Sequence, residues 1–136
     1  VVSGDSIQGR GESSPLIYGS AQEYRESMKR LNNLALNGKF GTLALGHPYP
    51  PFKKGLLRGV EVAVYLRESL RAIGEVEESI FKLLRKESKP LRMGEINALL
   101  PSIPAETIGC ILEHLLSEGK IQRTEKVNGH SWSMIR

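Results

Sequence analysis

"PSIPAETIGCILEHLLSEGKIQRTEKVNGHSW", from Pro101 to Trp132, decides how the second half of the chain is read. Pro101 and Pro104 bracket a tight turn. Pro104 stands near a helix start, where its missing N–H costs nothing, and Gly119 supplies a C-terminal stop. Ile108, Ile111, Leu112, Leu115 and Leu116 recur at about 100° per residue, which makes them the core face of a helix over Ala105–Glu118. Asn128-Gly129 then separates two strand-like runs, the preferred two-residue type I′ hairpin. That turn sets a register of Val127 opposite His130, Glu125 opposite Trp132, Arg123 opposite Met134 and Ile121 opposite Arg136. Ile121, Val127, Trp132 and Met134 then share an inward face. Trp132 reads as a core anchor rather than a stacking platform, because its neighbours on that face are apolar.

Working outward, "LRMGEINALL" reads as a short helix with Met93, Ile96, Leu99 and Leu100 as its apolar set. "EVEESIFKLLRK" puts Val76, Ile80, Leu83 and Leu84 on one face. Its acids come first and its bases last, which suits the helix dipole. Helix, short helix, tight turn, helix and hairpin, in that order over residues 75–136, resemble the winged helix-turn-helix superfamily. "ILEHLLSEGKIQR" looks like the end of a third helix running into the wing. The order is also similar to the small winged-helix module that ends the middle subunit of replication protein A, which binds proteins. Nothing in residues 1–74 resembles a known family.

The resemblance implies a third helix in the major groove and a hairpin on the phosphates. It points to Thr107 and His114 on the helix, Arg92 before the second helix, and Arg123, Lys126, Asn128 and His130 around the wing. One feature opposes it. The outer face of the helix carries Glu106, Cys110, Glu113 and Ser117 and no Lys or Arg, whereas phosphate neutralisation supplies most non-specific affinity and Arg is the commonest base reader. Cys110 and His114 have a spacing that can hold a metal. With no second Cys they read as an ordinary exposed pair.

The first half is less patterned. Residues 1–19, rich in Gly and Ser, read as a flexible leader. Ser20 with Glu23 fits a capping box for an amphipathic helix over 21–37, with Tyr24, Met28, Leu31 and Ala35 on one face. Residues 39–54 form a loop with a short strand at Thr42–Leu45. "GHPYPP", from Gly46 to Pro51, carries no motif with a mechanism. Residues 55–73 read as a second helix ending near Gly74, with a strand start as competitor because Val60, Val62 and Val64 alternate. Lys53, Lys54 and Arg58 form a basic cluster beside Tyr49 and Phe52. It suits phosphate contact and base stacking, or a solvated loop with two aromatics turned onto the core. Arg67 and Arg71 read as a solvated helix face.

Composition bounds the rest. The chain has 136 residues, 40% apolar and 25% charged, as soluble globular proteins do. The net charge of +4 is all in residues 1–74, where ten Lys/Arg meet six acids; residues 75–136 hold nine of each. No run approaches the ~20 apolar residues that span a bilayer, and no secretion signal opens the chain. The single Cys excludes an internal disulfide and a multi-thiolate zinc cluster, and suits an intracellular, reducing compartment. There is no nucleophile elbow, phosphate-cradling glycine loop or metal-binding acidic cluster. The sequence thus predicts a mainly α protein: a leader (1–19), a helical N-terminal region (20–74) and a C-terminal winged helix with a two-stranded wing (75–136). It predicts no enzyme activity, cofactor or metal. The expected role is a regulator of transcription or replication bound to duplex DNA, dimeric through its N-terminal helices. The alternative is a winged-helix interaction module for a protein partner in a larger complex.

Overall fold

The computed structural model describes residues 1–4, 6–9, 11 and 14–135. Arg10, counted above among the basic residues, and Arg136, expected opposite Ile121, lie outside them. The chain divides into two compact units. The first comprises Val1–Pro15 and Gln22–Gly74, the second Leu16–Ala21 and Glu75–Arg136.

The first unit is built on a three-stranded sheet. Strand β1 (Val2–Gly4) runs parallel to β2 (Thr42–Leu45), and β3 (Leu56–Arg58) runs antiparallel to β2 on its other side. Leu43 pairs with Leu57, and both are fully buried. Helix α1 (Ala21–Leu36) and the first turns of α2 (Val60–Lys86) complete the unit. Met28 of α1 and Val62, Tyr65 and Leu66 of α2 join Ile7, Leu43 and Leu57 in one core. Tyr24, Leu31 and Ala35 of α1 pack against it at helical spacing.

Two expectations are corrected here. Residues 1–19 are not simply a leader, since they contain β1 and bury Ile7 and Ile17. Alternation cannot reveal a three-residue strand held by backbone bonds, here Ala44 N–H to Val1 O (2.8 Å) and Gly46 N–H to Gly4 O (2.7 Å). The expected helix 55–73 is instead a strand followed by a helix of 27 residues that runs through Gly74 to Lys86. One glycine costs a helix about 1 kcal/mol. Ile73, Val76, Ile80 and Leu84 are all buried at helical spacing across it, which is ample to carry the helix through.

The second unit contains the remainder of α2, strand β4 (Leu91–Arg92), helices α3 (Met93–Leu99) and α4 (Ala105–Ser117), and strands β5 (Ile121–Lys126) and β6 (Gly129–Met134). Its core holds Ile80, Leu84, Ile96, Ile108, Ile111, Leu112, Leu115, Ile121 and Trp132. The sheet has three antiparallel strands in the order β4-β6-β5, so the expected two-stranded wing gains an edge strand, with Leu91 opposite Trp132.

The hairpin register also differs from the one expected. Lys126 pairs with Gly129, Glu125 with His130, Arg123 with Trp132 and Ile121 with Met134. Val127 and Asn128 therefore form the corner, and Gly129 (φ 108°) opens β6. Val127, expected inward, is fully exposed, whereas Trp132 is buried. The pairing is shifted by two residues from the expected one, so Ile121 and Trp132 stay on one inward face and Val127 moves from a strand position to the corner. Gly119 ends α4 in the left-handed region (φ 69°). Its N–H reaches Leu116 O and that of Lys120 reaches Leu115 O, both at 3.0 Å, a closure that leaves Glu118 as the last helical cap.

Candidate functional site

One edge of the α4 face expected to meet DNA is covered by the chain itself, while Glu106, Glu113 and Ser117 stay exposed. Thr107 is fully buried, and its hydroxyl accepts the Ile17 N–H at 3.0 Å. Cys110 Sγ donates to Ile17 O at 3.4 Å. Burial pushes the Cys110 thiol above its usual pKa, with Glu106 adding to the effect, so it is a poor nucleophile. The His114 side chain is only 9% exposed. Arg123, expected at the wing, pairs with Glu113 at 3.0 Å. The Arg92 N–H donates to Glu95 at 2.8 Å at the start of α3. Lys126, Asn128 and His130 are exposed around the hairpin tip, where His130 Nδ1 lies 3.9 Å from Glu125.

The basic cluster of the first unit is divided in the same way. The Lys54 ammonium hydrogen-bonds Glu61, and the Arg58 N–H donates to the other oxygen of that carboxylate at 3.2 Å. Lys54 first, and then the Arg58 N–H, hold the Glu61 carboxyl below its ordinary pKa. Lys53 points elsewhere. With His47, Pro48, Tyr49 and Pro50 it lines a cleft of about 440 Å³.

Backbone chemistry explains why this cleft is there. β1 and β2 are parallel, and Gly4 pairs with Leu45 where both strands end. The chain leaves β2 through Gly46, tied to Gly4 O, and reaches His47 at once. Loops beyond the carboxyl ends of parallel strands are where α/β proteins place ligands. Three prolines restrict the loop, and the Pro50-Pro51 peptide is cis. Tyr49 N–H bonds back to His47 O at 3.0 Å, and the two rings lie 5.6 Å apart at 30°. Lys53 sits at φ 52°, uncommon for a side-chain-bearing residue and concentrated at functional sites when it occurs.

Behind the loop, Tyr65 is fully buried with its hydroxyl unbonded among the described residues. Burial pushes its pKa up, with smaller contributions from Tyr24 and Tyr49. Burial likewise pushes Tyr24 up to about 12, against a lowering by Ser69. Both phenols therefore stay neutral across the physiological range.

No protein-family model matches this chain, and no curated protein matches it by sequence. Solved structures do match it by shape. A metallo-beta-lactamase family protein from Thermus thermophilus aligns with 98% of this chain at a TM-score of 0.70 and 20% identity. A beta-lactamase domain protein from Burkholderia ambifaria aligns with 98% of it at 0.66 and 17% identity. The chain spans 41% and 40% of the length of those two proteins. The fold is therefore one found within metallo-beta-lactamase proteins.

That finding corrects the resemblance stated above. The match runs over nearly the whole chain, including residues 1–74, and is not to winged helix-turn-helix proteins. A mainly α chain with a C-terminal winged helix was the wrong fold class. The expected DNA-binding regulator, its interaction-module alternative, the duplex DNA partner and the homodimer through N-terminal helices all rested on that resemblance, and they lose their basis with it. Among the described residues no helix is long and apolar enough to cross a membrane.

The name of the fold raises the question of a metal. Zinc takes three or four protein ligands. Among the described residues His47 belongs to no group of three or more His, Cys, Asp or Glu side chains with converging ligand atoms. The cleft residues of this chain therefore do not by themselves fit a metal ion. Sequence reading passed over His47 because "GHPYPP" matches no motif. The signal available was a His and a Tyr set among prolines immediately after a strand, a rigid loop with polar side chains at a strand's carboxyl end.

Proposed function

We propose that this chain is part of a hydrolase with the metallo-beta-lactamase fold, and that its 46–54 loop forms one wall of the substrate site. The observation that carries this reading is the position of His47 and Lys53 on a proline-restricted loop lining a cleft at the carboxyl ends of parallel β1 and β2. The fold likeness supports it. An imidazole there suits proton transfer or orientation of a polar reacting group. The Lys53 ammonium suits a carboxylate or phosphate on the substrate. Tyr49 adds an aromatic face. The chain spans less than half of the similar proteins, so the other walls of the site are assigned to sequence outside these 136 residues.

The test uses the longest expressed form of the protein that contains these residues. Hydrolysis of a chromogenic β-lactam, a p-nitrophenyl ester and bis(p-nitrophenyl) phosphate is followed in parallel. At least one is expected to turn over, with kcat/KM falling about tenfold or more in His47→Ala. Lys53→Ala is expected to act mainly on KM. Unchanged turnover in His47→Ala, or no turnover of any of the three substrates, would contradict the assignment.

A further inference from the structure

We propose that Glu77, His114 and Glu118 form a binding site for a divalent transition-metal ion such as Zn²⁺, in the second unit and independent of the His47 cleft. One ring nitrogen of His114 and one carboxylate oxygen from each glutamate all lie within 4.8 Å of one another. Glu77 comes from α2. His114 lies in the last turn of α4 and Glu118 caps it, four residues on, which puts both side chains on one face.

The state of His114 raises this above a chance meeting of acids. Its side chain is nine-tenths buried, and Nε2 is shielded from solvent without a hydrogen bond. Yet Glu118 Oε1 stands only 3.2 Å from that nitrogen. A buried ring nitrogen left unbonded is costly, and a metal ion is one of the few partners that satisfies it from that position. With metal–ligand bonds of about 2.0–2.2 Å in a tetrahedral arrangement, ligand atoms stand roughly 3.4 Å apart. The His114–Glu118 separation already matches this.

Charge and outer contacts agree. Two carboxylates and a neutral imidazole balance a 2+ ion. One imidazole with two carboxylates suits Zn²⁺ better than Ca²⁺ or Mg²⁺, which favour oxygen alone. Lys120 Nζ holds Glu118 Oε2 at 2.8 Å, which leaves Oε1 turned to His114 and fixes the carboxylate as outer contacts of metal ligands do. Three protein ligands leave a position for water. Cys110, four residues before His114 and the pairing that spacing alone suggests, bonds Ile17 instead.

Isothermal titration with ZnCl₂ in chelator-free buffer, together with Co²⁺ absorption spectra, tests the site in the intact protein. One ion per chain is expected, with micromolar affinity or tighter. His114→Gln and Glu77→Gln should each weaken binding about tenfold or more, and His114→Gln should abolish the visible Co²⁺ bands. Glu118→Gln, at a half-exposed position that tolerates change, guards against a folding defect at His114 and should weaken binding equally. His47→Ala and His130→Ala should bind as the parent does. No binding at ~100 µM Zn²⁺, or binding that survives both His114→Gln and Glu118→Gln, would overturn the proposal. The parent and its His47→Ala variant giving equal affinities separates this result from the fate of the hydrolase reading.

Discussion

Gly9→Ala is expected to cost about 3 kcal/mol or more of unfolding free energy, enough to reduce the folded-to-unfolded ratio by more than a hundredfold. Two independent effects add. Gly9 has φ 53°, where an L side chain costs about 1–2 kcal/mol. An added Cβ would also stand 2.5 Å from Pro50 O and 2.8 Å from two ring atoms of Tyr65. Neither neighbour yields easily, since one is backbone in a proline-restricted loop and the other is a fully buried ring. Overpacking of this kind costs about 1–3 kcal/mol. Gly9→Asn separates the two effects, because Asn tolerates the backbone but not the clash. Urea unfolding of both variants is the measurement. A Gly9→Ala protein within about 0.5 kcal/mol of the parent would show that the cleft loop does not rest on Gly9.

Leu43→Ala is expected to lose a further 2–5 kcal/mol, the usual cost of emptying a buried leucine site. Leu43 is fully buried in the central strand, opposite Leu57 and among Ile7, Met28, Val62 and Leu66. Tyr65 and Leu66 come from the first turns of α2, which Glu61 ties to Lys54 and to the Arg58 N–H, so the surroundings have little freedom to collapse into the space. Val127→Ala is the matched control, a fully exposed hairpin corner whose truncation should change stability by less than about 0.5 kcal/mol. The sequence-derived register predicted the opposite for Val127, so the pair of variants tests the observed register along with the core.

What the sequence made legible, and what it hid, follows from the kind of force involved. Long periodic helices were plain: Met28 with Tyr24 and Leu31 in α1, and Ile108, Ile111, Leu112 and Leu115 in α4, because 3.6-residue spacing survives without knowledge of partners. The short strand Thr42–Leu45 was visible as an apolar run between glycines. β1 and β4 were not, being three and two residues long and defined by backbone bonds to distant segments. The hairpin was found but its register was not. Asn-Gly preference favoured a corner one residue further on, and the resulting two-residue shift in pairing keeps Ile121 and Trp132 on one face, so the apolar pattern could not tell the two registers apart. The order of helices and hairpin in residues 75–136 suggested a DNA reader because local order carries no information about what covers α4. The bonds from Thr107 and Cys110 to Ile17 span some ninety residues of sequence. The candidate metal site illustrates the same limit. His114 and Glu118 are legible as an i, i+4 pair, but Glu77 joins them only through packing.

The central claim is that the first half of the chain is a sheet-based unit presenting the His47 loop, not a helical arm. Native-state amide hydrogen exchange tests it most directly at Ala44, Leu45, Gly46 and Gly59. Their N–H groups bond to Val1, Gly55, Gly4 and Gly41 carbonyls at 2.8, 2.8, 2.7 and 2.9 Å. Protection comparable to the buried turns of α2 is predicted for all four, because they open only with the sheet. Exchange of these amides at unstructured-peptide rates, while α1 and α2 remain protected, would contradict it.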